Sequence, residues 1–324
     1  MAPASAADAA PDESEPMTTL LFTHPACFAH DPGRGHPESP ARLKAVLSAL
    51  EADEFRRLER REAPAATVAQ IARVHARGYV EGLLRAVPET GLVALDPDTY
   101  LSPGSGEAGL RAAGAVCAAV DAVVGGEAKN AFCAVRPPGH HAEADRAMGF
   151  CLFNSVAIGA EQARAAHGLK RVAVVDFDVH HGNGTQHSFE NDPDLFYGST
   201  HQWPLYPGTG AAEERGVGNI CNAPLPPMAG SREFRAAMGD IVLPALRRFG
   251  PDLLLVSAGF DAHEADPLAS LRLDESDFAW VTRELLRVAD ESCAGRLVST
   301  LEGGYDMAAL AASAAAHLRV LMAA

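Results

Sequence analysis

The segment DFDVHHGNG, residues 176–184, combines carboxylates and histidines in a spacing that suits metal binding. Asp176, Asp178 and His180 alternate, and alternating side chains of an extended segment point to the same side. Asp178 and His180 can therefore supply an oxygen and a nitrogen donor of the kinds that zinc accepts. An isolated DxH is usually a polar loop with aspartates in turn or capping positions, but DxDxHH after an apolar strand is much rarer. We therefore predict that Asp178 and His180 are metal ligands.

The later segment FDAHEADP, residues 260–267, offers a third metal ligand. Its candidates are Asp266, Asp261 and His263, and spacing alone does not decide among them. Two carboxylates and one histidine around a zinc ion leave the fourth position open for water and substrate. That arrangement is typical of a catalytic site rather than a structural one.

Two adjacent histidines, His140 and His141, follow a rigid RPPG turn. Such a pair can serve as general base and as electrostatic or acid partner, provided that carboxylate or amide groups orient the rings. Asp176 and Asn183 are the candidates for this orienting role. A structural pair bonded to the backbone is the competing interpretation when the motif is taken alone.

Tyr305 lies in the segment EGGYD near the end of the sequence. The two glycines before it allow a sharp bend that brings the phenol toward the other polar segments. Its O–H could donate a hydrogen bond to a developing oxyanion. A half-buried tyrosine with a satisfied hydroxyl is the simpler explanation of this residue in isolation.

Short apolar runs precede these polar segments and alternate with helical patterns. We predict strands at residues 131–135, 172–176, 195–198, 253–257 and 297–301, and helices at 106–124, 155–167, 232–248, 275–294 and 308–324. Continuous apolar strands separated by helices indicate an α/β fold, a three-layer sandwich with a mostly parallel central sheet. The polar segments all follow strand C-termini, the edge of an open α/β sheet where ligands bind.

The composition is that of an ordinary globular protein, with 48% hydrophobic and 21% charged residues among 324. The formal net charge is −15 at pH 7, so phosphates would be repelled and we expect no nucleic-acid partner. The sequence has no uncharged apolar run of transmembrane length, and we expect no membrane partner. Homo-oligomer formation stays open at this stage.

The N-terminal residues 1–17 are rich in Ala, Pro, Ser, Asp and Glu and lack the basic start and apolar segment of a secretory signal. We predict that they are disordered and that residues 18–324 form a single catalytic domain. The six cysteines form no CxxC pair, and several lie in apolar runs as reduced core thiols do. A reducing, cytoplasmic location is therefore expected.

Seven segments, in order, resemble the histone deacetylase family, in particular its class II and bacterial branch with the acetylpolyamine amidohydrolases. They are HPESPARL (36–43), RPPGHH (136–141), GFCLFN (149–154), DFDVHHGNGTQ (176–186), YPGTG (206–210), SAGFDAHEADPL (257–268) and EGGYD (302–306). The resemblance runs from about residue 22 to the C-terminal helix. It implies the arginase–deacetylase α/β fold.

The resemblance also assigns roles to the candidate residues. It implies one catalytic zinc ion on Asp178, His180 and Asp266, and Tyr305 looks like the oxyanion donor. The implied reaction is hydrolysis of an acetylated lysine-type amine, with acetate and a free amine as products.

Among the histidines, His141 resembles the main general base, and His140 resembles its electrostatic partner held by Asp176. Asn183 occupies the position that orients His141, where class I members carry Asp and class II-like members usually carry Asn. An amide holds the ring but does not raise its pKa as a carboxylate would.

A narrow substrate channel and potassium sites are further implications of the resemblance. The matching channel residues are Gly149, Phe150, Tyr206 and Leu273, and Leu273 resembles a gatekeeper at the channel mouth, seven residues beyond Asp266. The first potassium site matches the backbone carbonyls of Asp176, Asp178 and His180, with Ser199 and Thr200. A second site would involve Phe189, Asp192 and Leu195.

Leu273 also carries the expected substrate preference. Polyamine-selective relatives place an acidic residue at this offset, so an uncharged leucine predicts acetyl-lysine-type substrates over acetylpolyamines. An acetylpolyamine amidohydrolase is the main alternative. An arginase-like ureohydrolase would need a two-metal site, and the paired histidines and Tyr305 argue against it. A non-catalytic acyl-amine binding protein would be expected to lack a ligand or Tyr305, and neither is missing.

Overall fold

The computed structural model describes residues 18–324, so the expected disorder of residues 1–17 lies outside the described residues. The strands are β1 Thr19–Thr23, β2 Glu59–Glu62, β3 Val93–Ala94, β4 Tyr100–Leu101, β5 Asn130–Cys133, β6 Val172–Asp176, β7 Leu195–Gln202, β8 Ile220–Leu225, β9 Leu253–Ala258 and β10 Leu297–Leu301. Eight of them form one sheet in the order β2-β1-β5-β10-β9-β6-β7-β8. Every neighbouring pair in this sheet is parallel, whereas β3 and β4 form a separate antiparallel pair.

Across residues 18–324, ten α-helices connect and cover these strands. They are α1 Pro40–Ala49, α2 Val68–Ile71, α3 Arg77–Ala86, α4 Ser105–Val124, α5 Ser155–His167, α6 Asn183–Phe189, α7 Ser231–Ala237, α8 Leu243–Phe249, α9 Glu275–Cys293 and α10 Met307–Leu321. Within residues 18–324, none of the helices is long and apolar enough to span a membrane.

Alternation along the central strands directs side chains to helices on both faces of the sheet. A Cβ on Gly159 of α5 would lie 3.7 Å from Leu255 of β9, so α5 packs on the face that Leu255 presents. Ser299 of β10 is one register position further along and points to the opposite face. There its Oγ lies 2.9 Å from Nε2 of His317, a fully buried residue of α10. The sheet is therefore the middle of three layers, which confirms the predicted α/β sandwich.

The predicted helix at residues 232–248 is continuous but contains a π-helical turn. α7 ends at Ala237, a π-helical turn spans Met238–Val242, and α8 begins at Leu243. Pro244 lies just after this turn, and because it has no N–H it cannot continue the helical hydrogen-bond ladder at that point.

Strands β1, β2 and β8 were not predicted. β2 has the sequence ERRE, without an apolar residue, and β8 contains Pro224. Both are edge strands, where one side of the backbone needs no partner and proline is tolerated. The order of the sheet brings the C-terminal ends of β10, β9 and β6 side by side, and three of the polar segments meet there.

Candidate active site

Three buried side chains at the ends of β6 and β9 form a group that can hold a metal ion. One donor atom each from Asp178, His180 and Asp261 lies within 4.8 Å of the others. His180 Nδ1 is 3.2 Å from Asp178 Oδ1 and 3.1 Å from Asp261 Oδ2. Tetrahedral zinc ligands at ~2.0–2.2 Å from the ion lie roughly 3.3–3.6 Å apart, so this donor set fits one zinc ion with little movement.

Two glycines make room for these carboxylates. A Cβ on Gly303 would lie 2.0 Å from Asp261 Oδ2, and one on Gly259 would lie 2.0 Å from Asp178 Oδ2. The Gly303 amide donates to Asp178 Oδ2 at 2.8 Å, and the Val179 amide donates to Asp261 Oδ1 at 2.8 Å. The loops that follow β6, β9 and β10 can therefore come this close only with glycine at positions 259 and 303.

Asp266 was the predicted third ligand, but the structure favours Asp261, which lies in the buried group that could hold a metal ion while Asp266 does not. Asp266 Oδ1 accepts a hydrogen bond from the Leu268 amide at 3.0 Å, and Oδ2 accepts one from the Tyr305 amide at 2.7 Å. Both oxygens of Asp266 are thus used by backbone groups. This carboxylate ties its own loop to the segment that carries Tyr305.

The group concentrates negative charge in the protein interior. Burial and the charge of Asp178 raise the pKa of Asp261 to about 7. Burial alone would lower the pKa of His180, but its contacts with Asp178 and Asp261 reverse the effect and raise it to about 10. Carboxylates packed this closely favour a bound cation.

His140 and His141 enter the site side by side, with ring centroids 4.0 Å apart. His140 Nδ1 lies 3.0 Å from Asp176 Oδ2, and His141 Nδ1 lies 2.8 Å from Asn183 Oδ1. The His141 ring centroid is 6.0 Å from that of His180. The structure places both orienting partners at hydrogen-bond distance beside the metal-binding group, and the catalytic roles stay predictions.

The two histidines differ in charge. Burial disfavours a charge on His140, but the negative charges of Asp178 and Asp176 outweigh it and raise its pKa to about 10. Burial and the positive charges of His140 and His180 hold the pKa of His141 well below its usual value. At neutral pH His141 is therefore uncharged, which is the state that a general base requires.

Two further side chains, Glu302 and Tyr197, support the histidines and were not predicted. Glu302 Oε2 accepts hydrogen bonds from the amides of Gly139 at 2.6 Å and His140 at 3.2 Å. The Tyr197 hydroxyl donates to Asp176 Oδ2 at 3.1 Å. Glu302 is the first residue after β10, so its strand-end position could have revealed it. Tyr197 lies inside β7 and belongs to no recognised motif.

Tyr305 is held both through its backbone and through its ring. The Arg42 guanidinium carbon lies 4.8 Å from the ring centroid, within the range of a cation–π contact. Arg42 Nε also donates to the Gly304 carbonyl at 2.6 Å. Burial raises the pKa of Tyr305, so its hydroxyl keeps its proton and can donate. Arg42 lies in the HPESPARL segment, to which the sequence analysis gave no role.

A protein-family model described as "Histone deacetylase domain" matches residues 36–321 of this chain. The chain belongs to the histone deacetylase family. It is 41% identical over 324 residues to "Histone deacetylase 14, chloroplastic" of Arabidopsis thaliana, covering 94% of this chain and 76% of that protein. It is 43% identical over 280 residues to "Histone deacetylase-like amidohydrolase" of Pseudomonas aeruginosa, covering 85% of this chain and 73% of that protein.

A solved structure of the HDA15 HD domain is similar to this histone deacetylase-family hydrolase along nearly its whole length. The TM-score is 0.89 at 34% sequence identity, and the match covers 95% of this chain and 88% of that one. The arginase–deacetylase fold expected from the resemblance is thereby confirmed. The Arabidopsis relative is chloroplastic by name and the Pseudomonas one is bacterial, so the cytoplasmic location stays a prediction.

The predicted channel residues of this deacetylase-family chain lie beside its reactive side chains. The ring centroid of Tyr206 is 5.1 Å from that of His141, and the centroid of Phe150 is 5.8 Å from that of Tyr305. Gly149 has a φ of +56°, and a Cβ there would lie 2.4 Å from His141 Cδ2. Glycine therefore lets this loop pack on the histidine ring. The channel role of the three residues stays a prediction.

Leu273 is not at a channel mouth, contrary to the prediction. Its side chain is 0% exposed and packs in the main hydrophobic core. The seven-residue offset is counted from the third ligand, so choosing Asp261 instead of Asp266 moves the gatekeeper position as well. The same offset counted from Asp261 leads to Leu268, which is half-buried on the loop that Asp266 ties to Tyr305.

The residues of the first predicted potassium site lie together at the junction of β6 and β7, where Asp176 pairs with Ser199. Thr200 Oγ1 is buried there and has no hydrogen-bond partner among residues 18–324. A buried oxygen without a partner fits a cation site.

The residues predicted for a second potassium ion do not fit one. Asn219 Nδ2 lies 2.8 Å from the Phe189 carbonyl oxygen, 2.9 Å from that of Asp192 and 2.7 Å from that of Leu195. Its Oδ1 accepts from the Val217 amide at 3.2 Å, which fixes the orientation of the side-chain amide. The amide therefore fills the space among the three carbonyls that the ion would need.

Proposed function

We propose that this chain is a zinc-dependent amidohydrolase that removes acetyl groups from lysine-type amines. The observation that carries the proposal is the position of the His141 ring beside the buried group of Asp178, His180 and Asp261, 6.0 Å from the His180 ring between centroids. A zinc ion bound by that group would polarise the acetyl carbonyl and acidify a water molecule. Three protein ligands leave the open position that this chemistry requires.

The chain's own side chains would move the protons. Asn183 Oδ1 is only an acceptor, so His141 Nδ1 carries a hydrogen and Nε2 is free to take a proton from water. His140, held by Asp176, would favour negative charge developing on the substrate when it carries a proton. Tyr305 donates its O–H to the carbonyl oxygen as that oxygen becomes an oxyanion. His141 then gives its proton to the leaving amine, and acetate and a free amine are released.

A single zinc ion distinguishes this reaction from that of an arginase-like ureohydrolase. In the part of the chain that the structure describes, one group of three metal-binding side chains is found, on Asp178, His180 and Asp261. The two-metal site of a ureohydrolase would need more carboxylate or histidine donors around the same point. The donor set therefore favours amide hydrolysis with one metal ion.

The test of this function is acetate release by purified protein from an acetyl-lysine peptide and from acetylputrescine, measured side by side. We expect acetate from the peptide, with the higher kcat/KM. Higher kcat/KM on acetylputrescine would make the protein an acetylpolyamine amidohydrolase. Binding of both substrates without acetate release would identify an acyl-amine binding protein and contradict the proposal.

Leu268 is proposed as the gatekeeper in place of Leu273, and a pair of variants separates the two. In Leu268→Glu we expect kcat/KM to shift toward acetylputrescine by about tenfold or more, because the new charge can pair with the distal amine. In Leu273→Glu we expect the free energy of unfolding to fall by about 3 kcal/mol or more, because a carboxylate would enter the core. Thermal melts and kinetics of both variants provide the comparison. A substrate shift in a well-folded Leu273→Glu protein would restore the original assignment.

Potassium content gives an independent prediction. We propose one ion, at the site of Asp176, Asp178, His180, Ser199 and Thr200. Equilibrium dialysis with thallium(I), which substitutes for potassium, should give about one ion per chain. In Asn219→Gly the three carbonyls lose the amide that fills their centre, and the value should rise to about two. A value of two in the wild type would show that the Asn219 amide does not exclude the ion.

A further inference from the structure

We propose that Glu143 is a positioning residue which, through the side-chain amide of Asn183, sets the tautomer of His141. This role rests on the proposed function of His141 as general base. Glu143 lies two residues beyond His141, where the chain leaves the RPPGHH turn. It does not contact the metal-binding group, and the mechanism above does not use it.

The hydrogen bonds of Asn183 determine which end of its side-chain amide faces His141. Its Nδ2 donates to Glu143 Oε1 and to the His141 carbonyl oxygen at 3.3 Å, while its Oδ1 lies 2.8 Å from His141 Nδ1. An ionised carboxylate is only an acceptor, so it must face the NH₂ end of the amide. The oxygen end of Asn183 then faces His141.

This direction decides where the imidazole hydrogen lies. With the Asn183 oxygen facing it, His141 Nδ1 must carry the hydrogen, and Nε2 keeps a free lone pair for the proton of water. If the amide turned over, its NH₂ would face Nδ1 and the hydrogen would move to Nε2, where it would block that lone pair. The His141 carbonyl oxygen, 3.3 Å from Nδ2, favours this orientation through a long hydrogen bond between neutral groups. The charge-assisted hydrogen bond to Glu143 is the stronger of the two and supplies most of the preference.

An aspartate at position 183 would present an acceptor oxygen to His141 whichever way its carboxylate turned. An asparagine can turn either its oxygen or its NH₂ toward His141, and the hydrogen bond to Glu143 favours the oxygen. The pair of Asn183 and Glu143 can therefore do what a single aspartate does.

Glu143 is kept ionised by its surroundings. Burial would raise its pKa, but hydrogen bonds from His187 and Asn183 outweigh the effect and lower it, and the charge of Arg146 adds to this. His187 Nδ1 lies 2.8 and 2.9 Å from the two carboxylate oxygens. Beside them is a cavity of about 130 Å³. The charged or titratable groups that line it are Arg73, Glu143, Glu161 and His187.

The test begins with Glu143→Gln in the zinc-loaded protein. Glutamine keeps the size of the side chain but can donate as well as accept, so Asn183 loses the stronger of the two hydrogen bonds that fix its orientation. We expect kcat to fall about 10- to 100-fold with KM little changed, as when a supporting partner of a catalytic group is lost. In protein with ¹⁵N-labelled histidine, the His141 signals should change from the Nδ1–H tautomer to a mixture. These signals are assigned by their loss in His141→Gln.

A second variant provides the rescue. Asn183→Asp alone places two carboxylates in contact and should also impair turnover. Combined with Glu143→Gln, the new aspartate accepts from His141 Nδ1 in either orientation. The double variant should recover the Nδ1–H tautomer and exceed both single variants in kcat. Glu161→Gln, on the other wall of the cavity, is the matched control and should change neither.

The tautomer measurement decides the outcome. A pure Nδ1–H tautomer in Glu143→Gln, or a double variant no better than Asn183→Asp alone, would overturn the positioning role. The NMR comparison needs no turnover. A wild type that releases no acetate would therefore refute the proposed function and leave the role of Glu143 to be decided by the tautomer alone.

Discussion

The Asp261→Ala protein is expected to lose its bound zinc and at least about 10³-fold in acetate release. Asp261 supplies one of three donors, and the remaining pair, Asp178 and His180, would hold the ion weakly. Metal analysis should show a fall from about one zinc ion per chain to almost none. A thermal melt of the zinc-free wild type and of the variant separates loss of the metal from loss of the fold.

Asp266→Asn is the matched control for this experiment. Asn keeps only one oxygen acceptor, so one of the backbone amides of Leu268 and Tyr305 loses its partner. No donor of the metal-binding group is removed, so the zinc should stay. Some activity should be lost, because a weaker acceptor holds the segment of Tyr305 less firmly. The reverse pattern, with zinc lost in Asp266→Asn and kept in Asp261→Ala, would return the ligand role to Asp266.

Tyr305→Phe is expected to lower kcat by ~10²–10³, the usual effect of removing one oxyanion donor. The substitution removes only the hydroxyl. The ring can still pack on Phe150 and beneath the Arg42 guanidinium, so zinc content and melting temperature should be unchanged. Steady-state kinetics should show the loss in kcat, with a smaller change in KM.

Tyr206→Phe makes the same chemical change on a neighbouring ring. Tyr206 is 39% exposed and lies against His141, with no donor role in the proposed mechanism. It should therefore keep most of its turnover. Near-normal turnover in Tyr305→Phe, or equal losses in the two variants, would show that Tyr305 packs in the site without stabilising the oxyanion.

The centre of the fold could be predicted because its strands are buried on both faces. β6 and β9 are continuous apolar runs, and the rule that ligand-binding residues follow parallel strands led directly to the segments that meet in the site. Strands β2 and β8 were not predicted, because edge strands need not be apolar. The π-helical turn between α7 and α8 was not predicted, because such a turn leaves the helical spacing of apolar residues on both sides unchanged.

The choice between Asp261 and Asp266 could not be made from spacing, because a loop has no period that fixes side-chain directions. The structure decides it through Gly259 and Gly303, whose missing side chains leave the space that Asp178 and Asp261 occupy. The gatekeeper was predicted at Leu273 because its position was counted from Asp266. The sequence around Asn219 also could not show that its amide fills the predicted second potassium site, because its three carbonyl partners lie 24 to 30 residues away in the chain.

Zinc content and acetate release, followed together, test the central claim most directly. Protein stripped with a chelator is titrated with zinc, and acetate release from an acetyl-lysine peptide is measured at each step. We predict no release without metal, a rise in proportion to bound zinc, and a plateau at about one ion per chain. Acetate release by metal-free protein, or a plateau only at two ions per chain, would contradict a single zinc site on Asp178, His180 and Asp261.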